Sequence, residues 1–192
     1  MIANDRFEKV EIAYLDDLHA WLADNHARTE SFWLVRWKKN TPDKYVDRLD
    51  VLDELICWGW IDGIARKLDG TRTMQLISPR KQQAWAQSYK DRAARLEASG
   101  RMQEPGRAAI TRSKHLGLWD ATRHVDQLLI PDDLCVALNK NTVAGRFFEA
   151  TAPSYRRNVL RWLAGAKRPE TRRRRIALIV AASAAHDKLR QL

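Results

Sequence analysis

The chain has 192 residues and a mass of 22.2 kDa; 30% of it is charged, its mean hydropathy is −0.52 and its formal net charge is +10. These totals fit a soluble globular protein able to bury a core, as one domain or two small ones. They argue against a membrane-spanning protein, because the longest apolar run, Ile176 to Ala185, is about half the length a span needs.

The charge is uneven. Residues 1–96 contain 16 Lys/Arg and 15 Asp/Glu, whereas residues 97–192 contain 18 and 9, so the positive field belongs to the second half. Such a field favours polyanionic partners: nucleic acid, anionic lipid or acidic protein surfaces. Cys57 and Cys135 both sit in apolar patterns, and two buried thiols fit a reducing compartment. The stretch Met1–Arg6 lacks a signal-peptide core, so a cytoplasmic location is expected.

In chain order, Phe7 to Ile12 reads as a short strand, and Leu15, Leu18, Trp21 and Leu22 as a helix ending near Asn25. Ser31 to Lys39 is aromatic and β-branched, a strand with Trp33, Val35 and Trp37 on one face. Thr41 is the expected cap and Pro42 the first turn of a helix whose stripe is Tyr45, Leu49, Leu52 and Ile56. Ile64–Leu68 and Thr71–Ile77 flank Asp69-Gly70, a hairpin signal because both turn positions tolerate positive φ.

After Ser78 the pattern turns helical. Trp85, Tyr89, Ala93 and Leu96 share a face that stops at Gly100. Pro105 opens a helix to about His115, and Gly117–Asp120 is a turn. Pro131 starts a short helix with Leu134, Cys135 and Leu138; Ala144, Phe147 and Phe148 belong to the next. Pro153 begins a helix lined by Tyr155, Val159, Trp162 and Leu163, and Pro169 introduces a last one over Arg172–Leu189. The expectation is α+β: a small antiparallel sheet with two helices in the N-terminal half, followed by an all-helical C-terminal half. Residues 1–78 form the sheet-containing region and 79–192 the helical region, packed as one compact unit or two small domains.

The histidines show no metal-ligand spacing, and neither a phosphate-cradling Gly-rich loop nor a nucleophile elbow is present. No metal, cofactor or catalytic residue is expected, and the oligomeric state is open. Two clusters could bind something. Cys57-Trp58-Gly59-Trp60-Ile61-Asp62-Gly63 sets two indoles and a carboxylate beside glycines that permit close approach. With Lys38, Arg80, Lys81 and Trp85 converging on one edge of the sheet, Trp58, Trp60 and Asp62 would line a cleft for a planar or anionic ligand. Alternatively the indoles fill the core and Arg80 pairs Asp62 internally.

The second cluster is Arg172, Arg173, Arg174 and Arg175. Four consecutive helical residues point in every direction, so they form no single basic face. A nucleic-acid site would need phosphate contacts along a groove; a solvated helix with local pairs to Glu170 is the simpler expectation.

Trp33–Lys39, Cys57–Gly63, Pro79–Lys81 with Trp85, and Gly100–Met102 with Gly106, Gly117 and Trp119 resemble the YdeI/OmpD-associated bacterial proteins. Lys167–Arg172 with Arg174, Arg175 and Ile176 matches that family's C-terminal signature, so the resemblance runs over about residues 7–185. Departures fall at Trp58, where members often have Phe, and near Gln83 and Tyr89, where they carry a serine and an asparagine. The resemblance implies a non-enzymatic protein linked to bacteriocin or cationic antimicrobial-peptide tolerance and the cell envelope, with no established reaction. A chain of charge +10 repels a cationic peptide unless Asp43, Asp47, Asp50, Asp53 and Glu54 form a local acidic patch. The alternatives are a nucleic-acid binder using the basic half, and an enzyme on a small anionic metabolite with Asp62 as acid/base and Arg80 as clamp.

Overall fold

The computed structural model describes residues 6–189, and the N-terminal stretch read for a signal peptide falls almost wholly outside them. The chain forms two compact units that divide between Asp120 and Ala121. The first unit contains β1 (Lys9–Ile12), α1 (Leu15–Asn25), β2 (Phe32–Trp37), α2 (Arg48–Cys57), β3 (Trp60–Lys67), β4 (Arg72–Pro79), α3 (Gln87–Ala98) and α4 (Glu104–His115).

The α+β class is as expected, but the sheet is mixed rather than wholly antiparallel. Its order is β1-β2-β4-β3, and β1 runs parallel to β2. The cause is α1, a crossover that returns the chain to start β2 in the direction of β1. The other pairings are antiparallel. Alternation along β2 sends Phe32 and Leu34 into the main core with Leu18, Leu22, Leu55, Ile56, Trp60 and Trp85. Trp33 and Val35 pack with Met74 on the opposite face.

The helix expected from Thr41 is broken in two. Pro42–Lys44 make one 3₁₀ turn, Tyr45 is extended, and α2 starts only after Asp47, whose carboxylate accepts from Leu49 N at 2.7 Å. An Asp cap is worth about 1 kcal/mol, more than Thr41 contributes without a side-chain cap bond. The shifted start leaves Leu49 exposed and buries Val51 to Cys57. The Asp69-Gly70 hairpin forms, yet neither residue has a positive φ. Instead the Asp69 carboxylate gathers the N–H groups of Thr71 and Arg72 at 2.8 and 2.7 Å, the local bonding that makes Asp a turn residue.

Gly59 lets α2 hand over to β3. Its φ is +75°, and a Cβ there would lie 2.8 Å from the Pro105 carbonyl oxygen. Gly106 is tighter still, since a Cβ would come 2.2 Å from the Cys57 oxygen. The start of α4 therefore rests directly on the Cys57–Gly59 backbone.

The second unit is all-helical: α5 (Arg123–Asp126), α6 (Asp132–Asn139), α7 (Thr142–Ala150), α8 (Pro153–Ala164) and α9 (Pro169–Ala184). Its core includes Val125, Leu134, Leu138, Phe148, Val159, Leu163 and Ile179. The last helix stops five residues short of Leu189. The chain turns at His186 (φ 54°), and Leu189 N donates to the Tyr155 hydroxyl at 3.0 Å. Cys57 is buried as expected; Cys135 is exposed, because it lies on the outer side of α6, and both are free thiols. Among the described residues, no helix is long and apolar enough to cross a membrane.

Candidate functional site

A cleft of about 520 Å³ opens in the first unit beside Trp58. One wall is the segment after α1, His26 to Thr29; another is Pro79–Lys81 at the end of β4; the third is the face of α4 that carries Glu104, Pro105, Ala108 and Arg112. Trp58 and Gly59 lie between them. The Trp58 indole N–H donates to Glu54 Oε1 at 2.9 Å, and His19 and His26 stand against the ring at centroid distances of 5.6 and 5.5 Å. Arg80 N donates to Gly59 O at 2.9 Å, which joins two of the walls.

The cleft is cationic. Arg28, Lys81 and Arg112 border it with His26, against a single carboxylate among the described residues, Glu104, whose side chain is 85% exposed. Arg28 pairs with Glu8 at 2.7 Å, but among the described residues Lys81 reaches only the Thr29 carbonyl at 3.3 Å and Arg112 only the Arg80 carbonyl at 2.9 Å. Carbonyls orient these cations without cancelling their charge, so an anion entering the cleft meets charge-assisted donors. The volume is within the range of small-ligand sites.

Of the residues singled out in the sequence, Trp58, Arg80 and Lys81 border this cleft; Trp60, Asp62, Lys38 and Trp85 do not. Trp60 is 1% exposed and packs on Trp21 and Phe32. Trp85 is equally buried; its N–H donates to Ser113 Oγ at 2.8 Å and its ring lies against Trp119. Lys38 donates to the carbonyls of Asp69 and Gly70 at the hairpin tip. That is the far end of β4 from Arg80, roughly 25 Å along the strand, so the expected convergence on one sheet edge does not occur.

The internal Arg80–Asp62 pair does not form either. Asp62 accepts from the Tyr89 hydroxyl at 2.5 Å and from Gln75 Nε2 at 3.1 Å, and Arg48 stands 3.8 Å away. Burial, and then the bond to Asp62, push the Tyr89 hydroxyl well above its usual pKa. The Arg80 guanidinium folds into its own loop, facing the Gln83 and Ala84 carbonyls at 3.5 and 3.4 Å and lying 4.0 Å over the Trp85 ring. Burial lowers its pKa to about 10, a shift opposed by Tyr89 and Asp62. It braces the wall of the cleft from behind.

Of the acidic patch suggested beside and on α2, Asp43 and Asp50 are exposed, but the other three carboxylates are engaged. Asp53 is buried between Arg92 (2.6 Å) and Arg95 (2.7 Å) of α3. Glu54 is buried under His19 (2.6 Å), Trp58 and Arg101 (3.4 Å), and Asp47 caps the helix. Burial and the neighbouring Glu54 carboxylate together raise the Cys57 thiol to about 11.

The arginine run in the second unit is dispersed. Arg172 forms a two-pronged bond with Asp133 of α6 at 2.5 and 2.9 Å, displacing the expected pairing with Glu170. Arg175 donates to the Trp162 carbonyl and lies 4.7 Å over its ring. Arg173 and Arg174 point outward. Sequence reasoning missed His26, Arg28 and Arg112, which carry no motif; Gly106 was the one available sign that α4 packs closely here.

The molecule thus combines a four-stranded α+β unit that presents a cationic cleft with a separate, strongly basic helical unit. Residues 10–109 match the model of a domain of unknown function (DUF8412), just over half of the chain, and the chain belongs to that family. Residues 127–186 match a second family, described as bacteriocin-protection, YdeI or OmpD-associated. The YdeI/OmpD-associated likeness is therefore carried by the helical unit, a shorter stretch than the resemblance over residues 7–185 implied. No curated protein and no solved structure matches the chain.

Proposed function

We propose that this protein is a cytoplasmic, non-enzymatic ligand-binding component of tolerance to bacteriocins or cationic antimicrobial peptides, and that it acts without capturing the peptide. The observation carrying this reading is the charge of the cleft, where, among the described residues, Lys81 and Arg112 face only carbonyls and Glu104 is the single bordering acid. A small anionic ligand fits such a site; a cationic peptide is repelled by it. The burial of Asp53 and Glu54 takes two of the five carboxylates out of the acidic patch that a cationic peptide would need. Two free cysteines agree with a reducing compartment.

The other readings draw less support. For nucleic acid, only Arg173 and Arg174 of the arginine run remain outward. For an enzyme using Asp62, that carboxylate is held by Tyr89 and Gln75 away from the cleft.

The test is calorimetric titration of the full chain with inorganic pyrophosphate and with citrate. Saturable binding is expected, weakened about tenfold by Lys81→Glu, the scale of one lost charge-assisted contact. A synthetic Lys/Leu amphipathic peptide should not bind even at low salt, where attraction is least screened. Tight peptide binding would refute indirect action, and anion binding indifferent to Lys81→Glu would remove the cleft from the account.

A further inference from the structure

A second groove, of about 390 Å³, runs between α3 and α4; α4 borders it and the Trp58 cleft alike, but the two share no lining residue. Ala93, Ala94 and Ile110 form its floor, and the half-buried indole of Trp119 closes one side. Trp119 is backed by the buried Trp85 ring, with centroids 5.0 Å apart, so its position is set from the interior.

Two ammonium groups flank that indole, Lys90 Nζ at 5.4 Å and Lys114 Nζ at 5.1 Å from the ring centroid. They are not equivalent. Lys90 is 8% exposed and bonded to Asp120 at 3.1 Å. Lys114 is exposed and, among the described residues, has no carboxylate partner. Arg107, the third cation of the groove, is engaged by Glu97 at 2.9 and 3.1 Å. An apolar floor, an indole wall and one uncompensated cation at the rim therefore meet in one place.

Each feature narrows the ligand. Methyl groups beside an indole favour a flat ring, which buries apolar surface and takes up the offset or edge contacts that aromatic pairs prefer. The free ammonium favours an acid group on that ring, since a neutral molecule leaves it unused. The volume suits a compound of one or two fused rings. We propose that this groove binds a small aromatic acid, with its rings over Ala93, Ala94 and Ile110 against Trp119 and its acid group on Lys114 Nζ. The site shares no lining residue with the cleft at Trp58.

The probe is 1-naphthoate, titrated calorimetrically into the full chain. Saturable binding is expected, with 1-naphthalenemethanol, the same rings without the charge, at least about tenfold weaker. Lys114→Glu should weaken naphthoate roughly ten- to a hundredfold, and Lys114→Arg should stay within about threefold of the parent. Ala94→Phe, at an exposed helical position where folding is preserved, fills the floor and should abolish binding. Lys81→Glu, in the other cleft, should change nothing. The proposal is overturned if naphthoate does not bind, if binding survives both Lys114→Glu and Ala94→Phe, or if it falls with Lys81→Glu. Capture of an acidic, leucine-rich peptide without naphthoate binding would also overturn it, in favour of a protein partner.

Discussion

The unit ending at Asp120 and the unit beginning at Ala121 treat charge in opposite ways. The first has 20 basic and 18 acidic side chains, the second 14 and six. Among the described residues, all five buried charged side chains, Arg36, Asp53, Glu54, Arg80 and Lys90, lie in the first unit; the buried polar residue of the second is Ser183. A charge taken out of water must be met by partners, and removing one partner is costly. The first unit accordingly uses near-balance as a structural condition, with Asp53 of α2 answered by two arginines of α3 and Glu54 by His19 and Arg101. The second is held by apolar packing and leaves its surplus of positive charge at the surface, where substitutions cost little.

That contrast is open to direct attack. The most disruptive single change should be Gly106→Ala, because the added methyl meets the Cys57 backbone at 2.2 Å and Met102 Sδ at 2.6 Å. It should destabilise the first unit by about 3 kcal/mol. Seven of the eight tryptophans lie in that unit, so the urea transition seen by fluorescence should move while helical ellipticity from the second unit persists. Coincident movement of both signals would mean that the units unfold together.

Asp53→Asn should come next, at about 2 kcal/mol, less than a fully buried pair because Arg92 and Arg95 can reach solvent. The matching change in the second unit, Arg172→Ala, breaks a partly exposed pair with Asp133 and should cost no more than about 1 kcal/mol. Equal losses in chemical denaturation would erase the distinction between the units.

The smallest effect concerns acid. Bonds from the Thr71 and Arg72 amides and the Arg72 side chain hold the Asp69 carboxyl down at about 2, against an ordinary 3.8. A depressed carboxylate contributes stability above its unfolded pKa and loses it as pH falls through the folded value. Stability of the hairpin unit should therefore decline from near pH 4 toward pH 2, and Asp69→Asn should flatten that limb in pH-dependent melting. An unchanged limb would show that Asp69 makes no net contribution.

Local features were legible in the chain itself. Proline and glycine punctuation marks the starts of α4, α8 and α9 and the stop of α3 at Gly100, whose φ is +72°. Alternation around Trp33 and Val35 assigns their sheet face, because side-chain direction in a strand follows from period alone. The scattering of Arg172–Arg175 follows from helical geometry in the same way.

What the tertiary structure decided is whatever depends on residues far apart in sequence. The parallel pairing of β1 with β2, the neutralisation of Asp53 by side chains about forty positions later, and the cleft built from residues 26–29, 58–59, 79–81 and 104–112 leave no periodic trace. Trp58 and Trp60 make the point at closest range. Two positions apart in sequence, one borders a cationic cleft and the other is sealed against Phe32, because Gly59 turns the backbone between them. Composition and spacing determine which residues can be buried; only the packing of the whole unit determines which of them face an opening.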